Sequence, residues 1–272
     1  MTDLSAFNIT YFPSGQRNFH IVAQIPSEVI APTGKSIQDP LFSSPNANAT
    51  TSSSLLQLVY PVHSVNPGSK PEGGADFYAT PLNLAGARNV TLEYSVFFAA
   101  NFNWVKGGKL PGLFGGHTGC SGGASAQDCF STRLMWRPHG VGELYLYAPK
   151  DKQSEALCAD VRSVCDATYG FSIGRGTFNF TAGDWTRLSQ NVVLNTPGQN
   201  DGGFTLEVDG RPVIQRTDVF YRNNVAQRVD EDGDSRSAHS PSSTFFGGHG
   251  KAYATPKQQY TWFKDFAIAR YD

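Results

Sequence analysis

Short apolar runs, separated by clusters of turn-forming residues, constrain the fold of this chain more than any other feature of its sequence. Turn clusters such as NPGSKPEGG (66–74) and NTPGQNDGG (195–203) punctuate them, and the chain contains 28 glycines and 16 prolines. This rhythm predicts an all-β sandwich or jelly roll with a concave groove on one face. The predicted strands lie within residues 55–62, 90–104, 130–137, 143–148, 169–179, 185–195, 203–209, 212–216 and 260–270.

The chain is predicted to form a single β-jelly-roll domain over residues 1–272, because sandwiches of this length are often one domain. Residues 34–54, GKSIQDPLFSSPNANATTSSS, are polar and of low complexity, so they are predicted to be a connection and not a core element. One helix is predicted around 151–165, although that stretch carries two cysteines.

The overall charge excludes several classes of partner. The formal net charge is -1 and the sequence pI is about 6.6, so no general field attracts nucleic acid or an anionic membrane. Local cations must therefore meet any anionic ligand. No apolar run approaches the roughly 20 residues of a membrane span, and the first residues lack the pattern of a signal peptide. We expect a monomer that binds neither nucleic acid nor membrane.

Cysteines and glycosylation sequons nevertheless predict a secreted, extracellular glycoprotein. Four cysteines form two tight pairs without C-x-x-C spacing, which disfavours zinc and favours local disulfides. Three pairings are formally open, and the favoured one joins Cys120 to Cys129 and Cys158 to Cys165. The N-x-Ser/Thr sequons fall at Asn8, Asn48, Asn89 and Asn179.

The stretch FSTRLMWRPHGVGELYLYAPK (130–150) predicts a hairpin with its turn at Pro138–Gly142. Because strand side chains alternate between faces, the apolar side chains of Leu134, Trp136, Leu144 and Leu146 should share the buried face. The opposite face should then gather the side chains of Ser131, Arg133, Met135, Arg137, Tyr145 and Tyr147. An arginine that stacks on tyrosine at a solvated surface would give the same pattern.

The stretch VKGGKLPGLFGGHTGC (105–120) places Lys106 and Lys109 on a backbone rich in glycine. A strand that ends at Trp104 is expected to lead into it. Glycines allow a ligand or a neighbouring strand to approach the backbone closely. We therefore expect Gly107 and Gly108 to provide clearance for a ligand that the two lysines bind, with a β-bulge and solvated lysines as the alternative.

These motifs resemble the polysaccharide lyases of families 14 and 20, which include the alginate and glucuronan lyases. The S-x-R and Y-x-Y pattern of the hairpin is similar to the site of family 14, and the resemblance covers about residues 55–272. The loop between the first cysteine pair resembles that of a secreted fungal branch. The other matching segments are YPVHSVNP (60–67), GGADFYA (73–79), GGKLPGLFGG (107–116), STFFGG (243–248) and the closing WFKDFAIARYD.

The resemblance implies cleavage of a 4-linked uronate polymer, either glucuronan or mannuronate-rich alginate, by β-elimination. It implies Lys109 as a cation that neutralises the substrate carboxylate or is otherwise essential, and Ser131 and Arg133 as contacts of that carboxylate. Either Tyr145 or Tyr147 would be the base and acid, with its pKa lowered from about 10 by nearby cations.

Further residues are assigned to substrate binding: Lys106, Arg137, His117 and His249, of which the two histidines are the reserve bases. His63 and His139 also lie in predicted loops that could line a groove. No cofactor and no catalytic metal are expected, because elimination needs none. The acidic run 229–237 lacks the register of an EF-hand and is predicted to be a solvated loop.

Two other functions are compatible with the pattern. A non-catalytic, lectin-like sandwich would use the tyrosines and tryptophans as stacking platforms for sugars. A glycoside hydrolase would need two carboxylates across a groove, whereas the predicted floor offers only Glu143, and Glu207 lies on another strand. The identity of the uronate and the choice between endo and exo action stay open.

Overall fold

The computed structural model describes residues 4–30, 54–116, 119–165, 168–223, 240–248 and 250–271. The strands are β1 (Ile9–Ser14), β2 (Phe19–Val22), β3 (Leu55–Tyr60), β4 (Ala75–Ala79), β5 (Asn89–Phe98), β6 (Gly108–Leu110), β7 (Phe114–Gly115), β8 (Phe130–Trp136), β9 (Gly142–Tyr147), β10 (Val164–Cys165), β11 (Phe171–Ile173), β12 (Trp185–Val193), β13 (Gly202–Val208), β14 (Arg211–Val219), β15 (Ser240–Phe246) and β16 (Gln259–Tyr271).

Helical segments are short in the described part of the chain. One α-helix, α1 (Glu155–Ala159), begins after Ser154, whose hydroxyl accepts a hydrogen bond from the Leu157 amide. None of the described helices is long and apolar enough to cross a membrane. The 3₁₀ turns are Ser5–Phe7, Gln16–Asn18, Ser27–Val29, Pro138–Gly140, Lys150–Lys152 and Lys251–Tyr253.

Two antiparallel sheets pack face to face, which confirms the predicted all-β sandwich. The first sheet has the order β1-β4-β15-β6-β8-β9-β11-β10, with β7 paired to the end of β8. The second has the order β14-β13-β12-β5-β16-β3-β2. The core lies between them, and strand alternation supplies it: Leu134 and Trp136 of β8 and Leu144 and Leu146 of β9 are fully buried.

Aromatic residues fill much of this core. Trp136 packs edge-to-face against Tyr60, Phe98, Phe102 and Phe246, with ring centroids 5.4–6.3 Å apart. Such pairs contribute about 0.5–1.5 kcal/mol beyond the area that they bury. The first sheet is therefore anchored on one face, and its opposite face is available for a site.

Several predicted boundaries are wrong. The strand expected to reach Trp104 ends at Phe98, because residues 99–105 turn away and are held by the Gln259 side chain. The strand expected over 169–179 shrinks to β11, since Gly174 and Gly176 adopt positive φ. The helix expected around 151–165 is reduced to α1. Seven strands were not predicted: β1, β2, β4, β6, β7, β10 and β15.

Candidate active site

The outer face of the first sheet carries a cavity of about 650 Å³. It is lined by the side chains of Lys109, Arg133, Arg137, Tyr145 and Tyr147, which were all predicted to lie in the site. Asp76 is the one acidic residue in the described lining, whereas Arg175 adds a fourth cation. The lining therefore carries more positive than negative charge, as a site for an anionic ligand requires.

Strand register brings these residues together. On the β8–β9 hairpin Arg133 lies opposite Tyr145, and Ser131 lies opposite Tyr147. The neighbouring β6 places Lys109 opposite Met135. Residues opposite each other on one face of an antiparallel pair have Cβ atoms about 4.5–5.5 Å apart. The hairpin therefore brings Arg133, Tyr145 and Tyr147 together on one face, as predicted.

Lys109 is almost completely buried on the floor of the cavity, with 8% of its surface exposed. Its Nζ donates a hydrogen bond to Sδ of Met135 at 2.9 Å and lies 3.8 Å from the centroid of the Tyr145 ring. Burial, followed by the charges of Arg133 and Arg137, lowers the pKa of Lys109 well below its usual value, and Glu143 only partly opposes this. Both effects shift the equilibrium of Lys109 toward its neutral amine.

Arg133 is buried as well, with 6% of its surface exposed. Among the described residues its Nε has no hydrogen-bond partner, and its guanidinium carbon lies 5.8 Å from the centroid of the Tyr147 ring. A buried N–H of a charged group that lacks a partner is costly. An arginine cannot relieve that cost by losing its proton. The Nε–H of this guanidinium is consequently free to donate a hydrogen bond to a carboxylate of a ligand.

Glu143 holds the other two arginines of the cavity. Its side chain is fully buried, and its Oε1 lies 2.6 Å from Nη2 of Arg137. Its Oε2 accepts hydrogen bonds from Nε of Arg175 at 2.7 Å and from Oγ of Ser172 at 2.6 Å. Burial raises the pKa of Glu143, but the bonds and charge of Arg137 and the Ser172 bond outweigh it and lower the pKa. Glu143 is thus a fixed structural anion and not a free carboxylate for hydrolysis.

The two tyrosines lie side by side, with ring centroids 5.7 Å apart. Burial, together with the neighbouring Tyr147, raises the pKa of Tyr145, although Arg133 and Arg137 oppose the shift. The expected lowering of the Tyr145 pKa by nearby cations is therefore wrong, because desolvation dominates. The Tyr147 hydroxyl accepts a hydrogen bond from the Gly123 amide at 3.1 Å, which ties it to the loop between Cys120 and Cys129.

The glycines before Lys109 serve the protein's own packing. A Cβ on Gly108 would lie 2.0 Å from the Trp136 ring, and one on Gly107 would lie 2.6 Å from the Trp136 carbonyl oxygen. The expectation that Gly107 and Gly108 provide clearance for a ligand is wrong, because Trp136 of the neighbouring β8 occupies the space beside them. Gly247 is one of the glycines that line the cavity, and a Cβ there would lie 3.4 Å from Nζ of Lys109.

Other predicted site residues lie apart from the cavity floor. Ser131 is buried outside the lining and donates its hydroxyl to the carbonyl of Cys120 at 3.0 Å. Its predicted contact with the substrate is therefore replaced by a contact with the loop. Lys106 is exposed at the rim, with Nζ 5.3 Å from the centroid of the Tyr253 ring. His117 and His249 lie outside the described residues. So do the whole acidic run 229–237 and all of the connection 34–54 except its last residue.

The disulfide prediction is confirmed for both pairs. Cys120 is bonded to Cys129, and Cys158 to Cys165. The first closes the loop over Ser131 and Tyr147. The second joins α1 to β10, whose Val164 lines the cavity.

Sequence reasoning did not identify Asp76 as a residue of the cavity. It lies on β4 and accepts a hydrogen bond from Oγ of Ser243 at 2.6 Å. Burial raises the pKa of Asp76, and Ser243 and Arg133 only partly offset this. The only signal in the sequence was the segment GGADFYA, which gave no reason to select its aspartate.

Comparisons with known proteins identify relatives of this chain. The family described as Polysaccharide lyase 14 matches residues 48–266. A solved PL-14 alginate lyase from Aplysia kurodai is 30% identical, with a TM-score of 0.76 over 98% of this chain and 93% of that one.

More distant proteins share less with the chain. Alginate lyase vAL-1 from Chlorella virus is 23% identical, with a TM-score of 0.67 over 82% of this chain and 87% of that one. An endo-β-1,4-glucuronan lyase from the fungus Trichoderma reesei is 10% identical, with a TM-score of 0.52 over 97% and 91%. These two likenesses concern the fold alone. A curated relative, Exolysin of Paramecium bursaria Chlorella virus 1, is 26% identical over 171 residues, or 56% of this chain, and the match spans only 26% of that protein.

Proposed function

This chain belongs to polysaccharide lyase family 14, and from that premise we propose that its cavity cleaves a 4-linked uronate polymer by β-elimination. The proposed substrates are mannuronate-rich alginate and glucuronan. The membership agrees with the relationship to polysaccharide lyases predicted from the sequence. The observation that carries the proposal is the buried Arg133, whose Nε has no partner within the described residues.

Arg133 is proposed to bind the carboxylate of the uronate that reacts. The proton at C5 of a uronate is weakly acidic, because the adjacent carboxylate already carries the charge that the carbanion would share with it. A buried guanidinium offsets that charge as it develops, and donors of this kind contribute about 10²–10³ in rate. Arg133 is suited to this role, because Arg137 and Arg175 are already paired with Glu143.

Lys109 is proposed as the base. Its lowered pKa favours the neutral amine, which can accept the C5 proton. Tyr145 is proposed as the acid, because its raised pKa keeps the phenol protonated. These assignments replace the expectation of a tyrosine base and a purely neutralising Lys109. Tyr147, which is bonded to the loop amide, is proposed to orient Tyr145.

The proposed elimination moves two protons and breaks one carbon–oxygen bond. The Lys109 amine takes the C5 proton, the electron pair forms the C4=C5 double bond, and the bond from C4 to the glycosidic oxygen breaks. That oxygen receives the phenolic proton of Tyr145. Exchange of one proton with solvent then restores the Lys109 amine and the Tyr145 phenol.

The position of base and acid supports a substrate preference. Nζ of Lys109 lies over the ring of Tyr145, so both groups approach the sugar from one side. In β-D-mannuronate and β-D-glucuronate the C5 hydrogen and O4 lie on the same side of the ring, whereas in guluronate they lie on opposite sides. We therefore expect lower activity on polyguluronate than on polymannuronate or glucuronan.

The location, the oligomeric state and the cofactor requirement of the protein are also proposed. We propose an extracellular monomer of one domain that acts without a cofactor, and the two disulfides support an oxidising compartment. Among the described residues, no three His, Cys, Asp or Glu side chains are grouped so that they could hold a metal ion.

The test is a comparison of polymannuronate, polyguluronate and glucuronan, with ultraviolet absorbance of the unsaturated uronate as the signal. We expect the wild-type protein to act on polymannuronate or glucuronan, and Arg133→Gln to lose about 10²–10³ in kcat. Arg211→Gln, an exposed cation on β14, is the matched control. Binding without any unsaturated product would instead favour the lectin-like alternative, and full activity of Arg133→Gln would refute the role of this arginine.

A further inference from the structure

A second hollow, of about 600 Å³, lies beyond the rim of the cavity. One wall is the segment from Asn101 to Val105 that follows β5. The other walls are the β8–β9 turn at His139 and the segment before β16 at Lys257. The mechanism proposed above uses none of these residues.

The side chains of the hollow are suited to an anionic sugar chain. Lys257 and His139 are exposed, the described lining contains no Asp or Glu, and the Asn101 and Asn103 side chains are exposed amides. Trp104 is half-buried, packed on Phe98 with a centroid distance of 4.6 Å. Exposed cations, amides and an aromatic surface together are the groups that bind uronate carboxylates, hydroxyls and ring faces.

The walls of the hollow are held in place before any ligand binds. The buried Gln259 side chain accepts a hydrogen bond from the Asn103 amide at 2.5 Å and donates one to its carbonyl at 3.0 Å. Lys257 Nζ donates to the Asn101 carbonyl at 2.7 Å. Val105 and His139 both adopt positive φ, 50° and 63°, which is uncommon, especially for a β-branched residue. A preformed surface loses little entropy when it binds.

Two chain segments connect the hollow to the cavity. Arg137 lines the cavity and His139 lines the hollow, and two residues of chain span at most about 7 Å. Val105 lines the hollow, and the next residue, Lys106, lies over the ring of Tyr253, which lines the cavity. The separation at these points is comparable to a single pyranose ring, and Lys106 adds a cation between the two depressions.

We propose that this hollow is a distal subsite that binds further uronate residues of the same polysaccharide chain whose scissile bond lies in the cavity. Lys257, His139 and Lys106 meet its carboxylates, and Trp104 contacts a sugar ring. This inference rests on the proposed uronan lyase function and adds that the protein acts better on long chains than on short ones.

The test uses the double variant His139→Gln/Lys257→Gln and the control His20→Gln/Arg211→Gln, which removes an exposed histidine and an exposed cation from the second sheet. We measure kcat/KM on polymannuronate and on its tetrasaccharide at low salt. Exposed ionic contacts contribute about 0.2–1 kcal/mol each, and the double variant removes two of them. The polymer-to-tetrasaccharide ratio should therefore fall roughly 2- to 30-fold in the test variant only. The fall should shrink as salt is added.

An unchanged ratio in the test variant overturns the distal subsite, even if the wild-type protein is an active lyase. If the wild-type protein has no lyase activity, the proposed function fails, and affinity electrophoresis in gels that contain polymannuronate still tests the subsite. Weaker retardation of the test variant than of the control then supports it, and equal retardation overturns it.

Discussion

Two basic side chains, Lys109 and Arg133, determine what the cavity can bind, because no carboxylate in the described structure lies within ion-pair distance of either. They respond differently to burial. The Lys109 ammonium can lose its proton, and its pKa is lowered accordingly. An arginine side chain has no such option, and Nε of Arg133 has no hydrogen-bond partner in the described part of the chain. An amine whose deprotonation is favoured therefore lies beside a guanidinium, which is the combination that proton abstraction next to a carboxylate requires.

Substitution of Lys109 by arginine separates the role of a base from that of a neutralising cation. Arginine keeps the positive charge but cannot become a neutral base near pH 7. We therefore expect Lys109→Arg to lose about 10²–10⁴ in kcat on polymannuronate, the usual contribution of a general base. The wild-type kcat/KM should rise with pH as the lowered pKa of Lys109 is passed, because the amine form then increases.

The control for this variant is its binding of the polymer, measured by affinity electrophoresis, which shows whether the cavity still accepts substrate. Retention of a large part of the wild-type kcat by Lys109→Arg would contradict the base assignment. It would return Lys109 to the neutralising role expected from the sequence, and Tyr145→Phe and Tyr147→Phe would then identify the base.

The β8–β9 hairpin is the element that organises the site, and Glu143 anchors it beside the turn. This buried carboxylate joins Arg137 at the end of β8 to Arg175 after β11. Removal of one partner from a buried ionic group leaves uncompensated charge, which costs about 3–5 kcal/mol. The arginines thus depend on Glu143 for their positions, and the hairpin depends on it for part of its stability.

We expect Glu143→Gln to lower the free energy of unfolding by about 3–5 kcal/mol at neutral pH, measured by urea denaturation. Because the folded pKa of Glu143 is lowered, its contribution is present above the unfolded pKa and disappears as pH falls through the folded pKa. The difference between variant and wild type should therefore narrow in acid.

Glu93→Gln is the matched control, since Glu93 pairs with Arg187 at the surface at 2.9 Å. That exposed pair should contribute less than about 1 kcal/mol. If Glu143→Gln costs no more than Glu93→Gln, the structural role assigned to Glu143 is refuted.

The sequence predicts some elements well for a clear physical reason. Alternation in 130–147 determines which side chains share a face, so the hairpin and its gathering of Arg133, Tyr145 and Tyr147 were predictable. Strands of two or three residues, such as β6, β7 and β10, are too short to show a period. The function of Gly108 was not predictable, because the ring that it accommodates belongs to Trp136 on another strand. The raised pKa of Tyr145 likewise depends on burial by distant segments.

At the scale of the whole molecule, the residues that stabilise the sandwich and the residues of the candidate site lie on opposite faces of the first sheet. One face of the first sheet packs aromatic side chains against the second sheet, and the other carries the cations and tyrosines. The loop closed by Cys120 and Cys129 covers one part of that face, and the β8–β9 turn leads from the cavity to the second hollow. A long uronan could therefore contact the cavity and the hollow together.

The most direct test of this account is the proton NMR spectrum of the products that the wild-type protein releases from polymannuronate. Elimination predicts an olefinic signal from H4 of the new non-reducing end, growing in step with the new reducing ends. Products with only saturated non-reducing ends would show hydrolysis, and an unchanged polymer would show that the cavity binds without cleaving. Either result would contradict the proposed β-elimination by this protein.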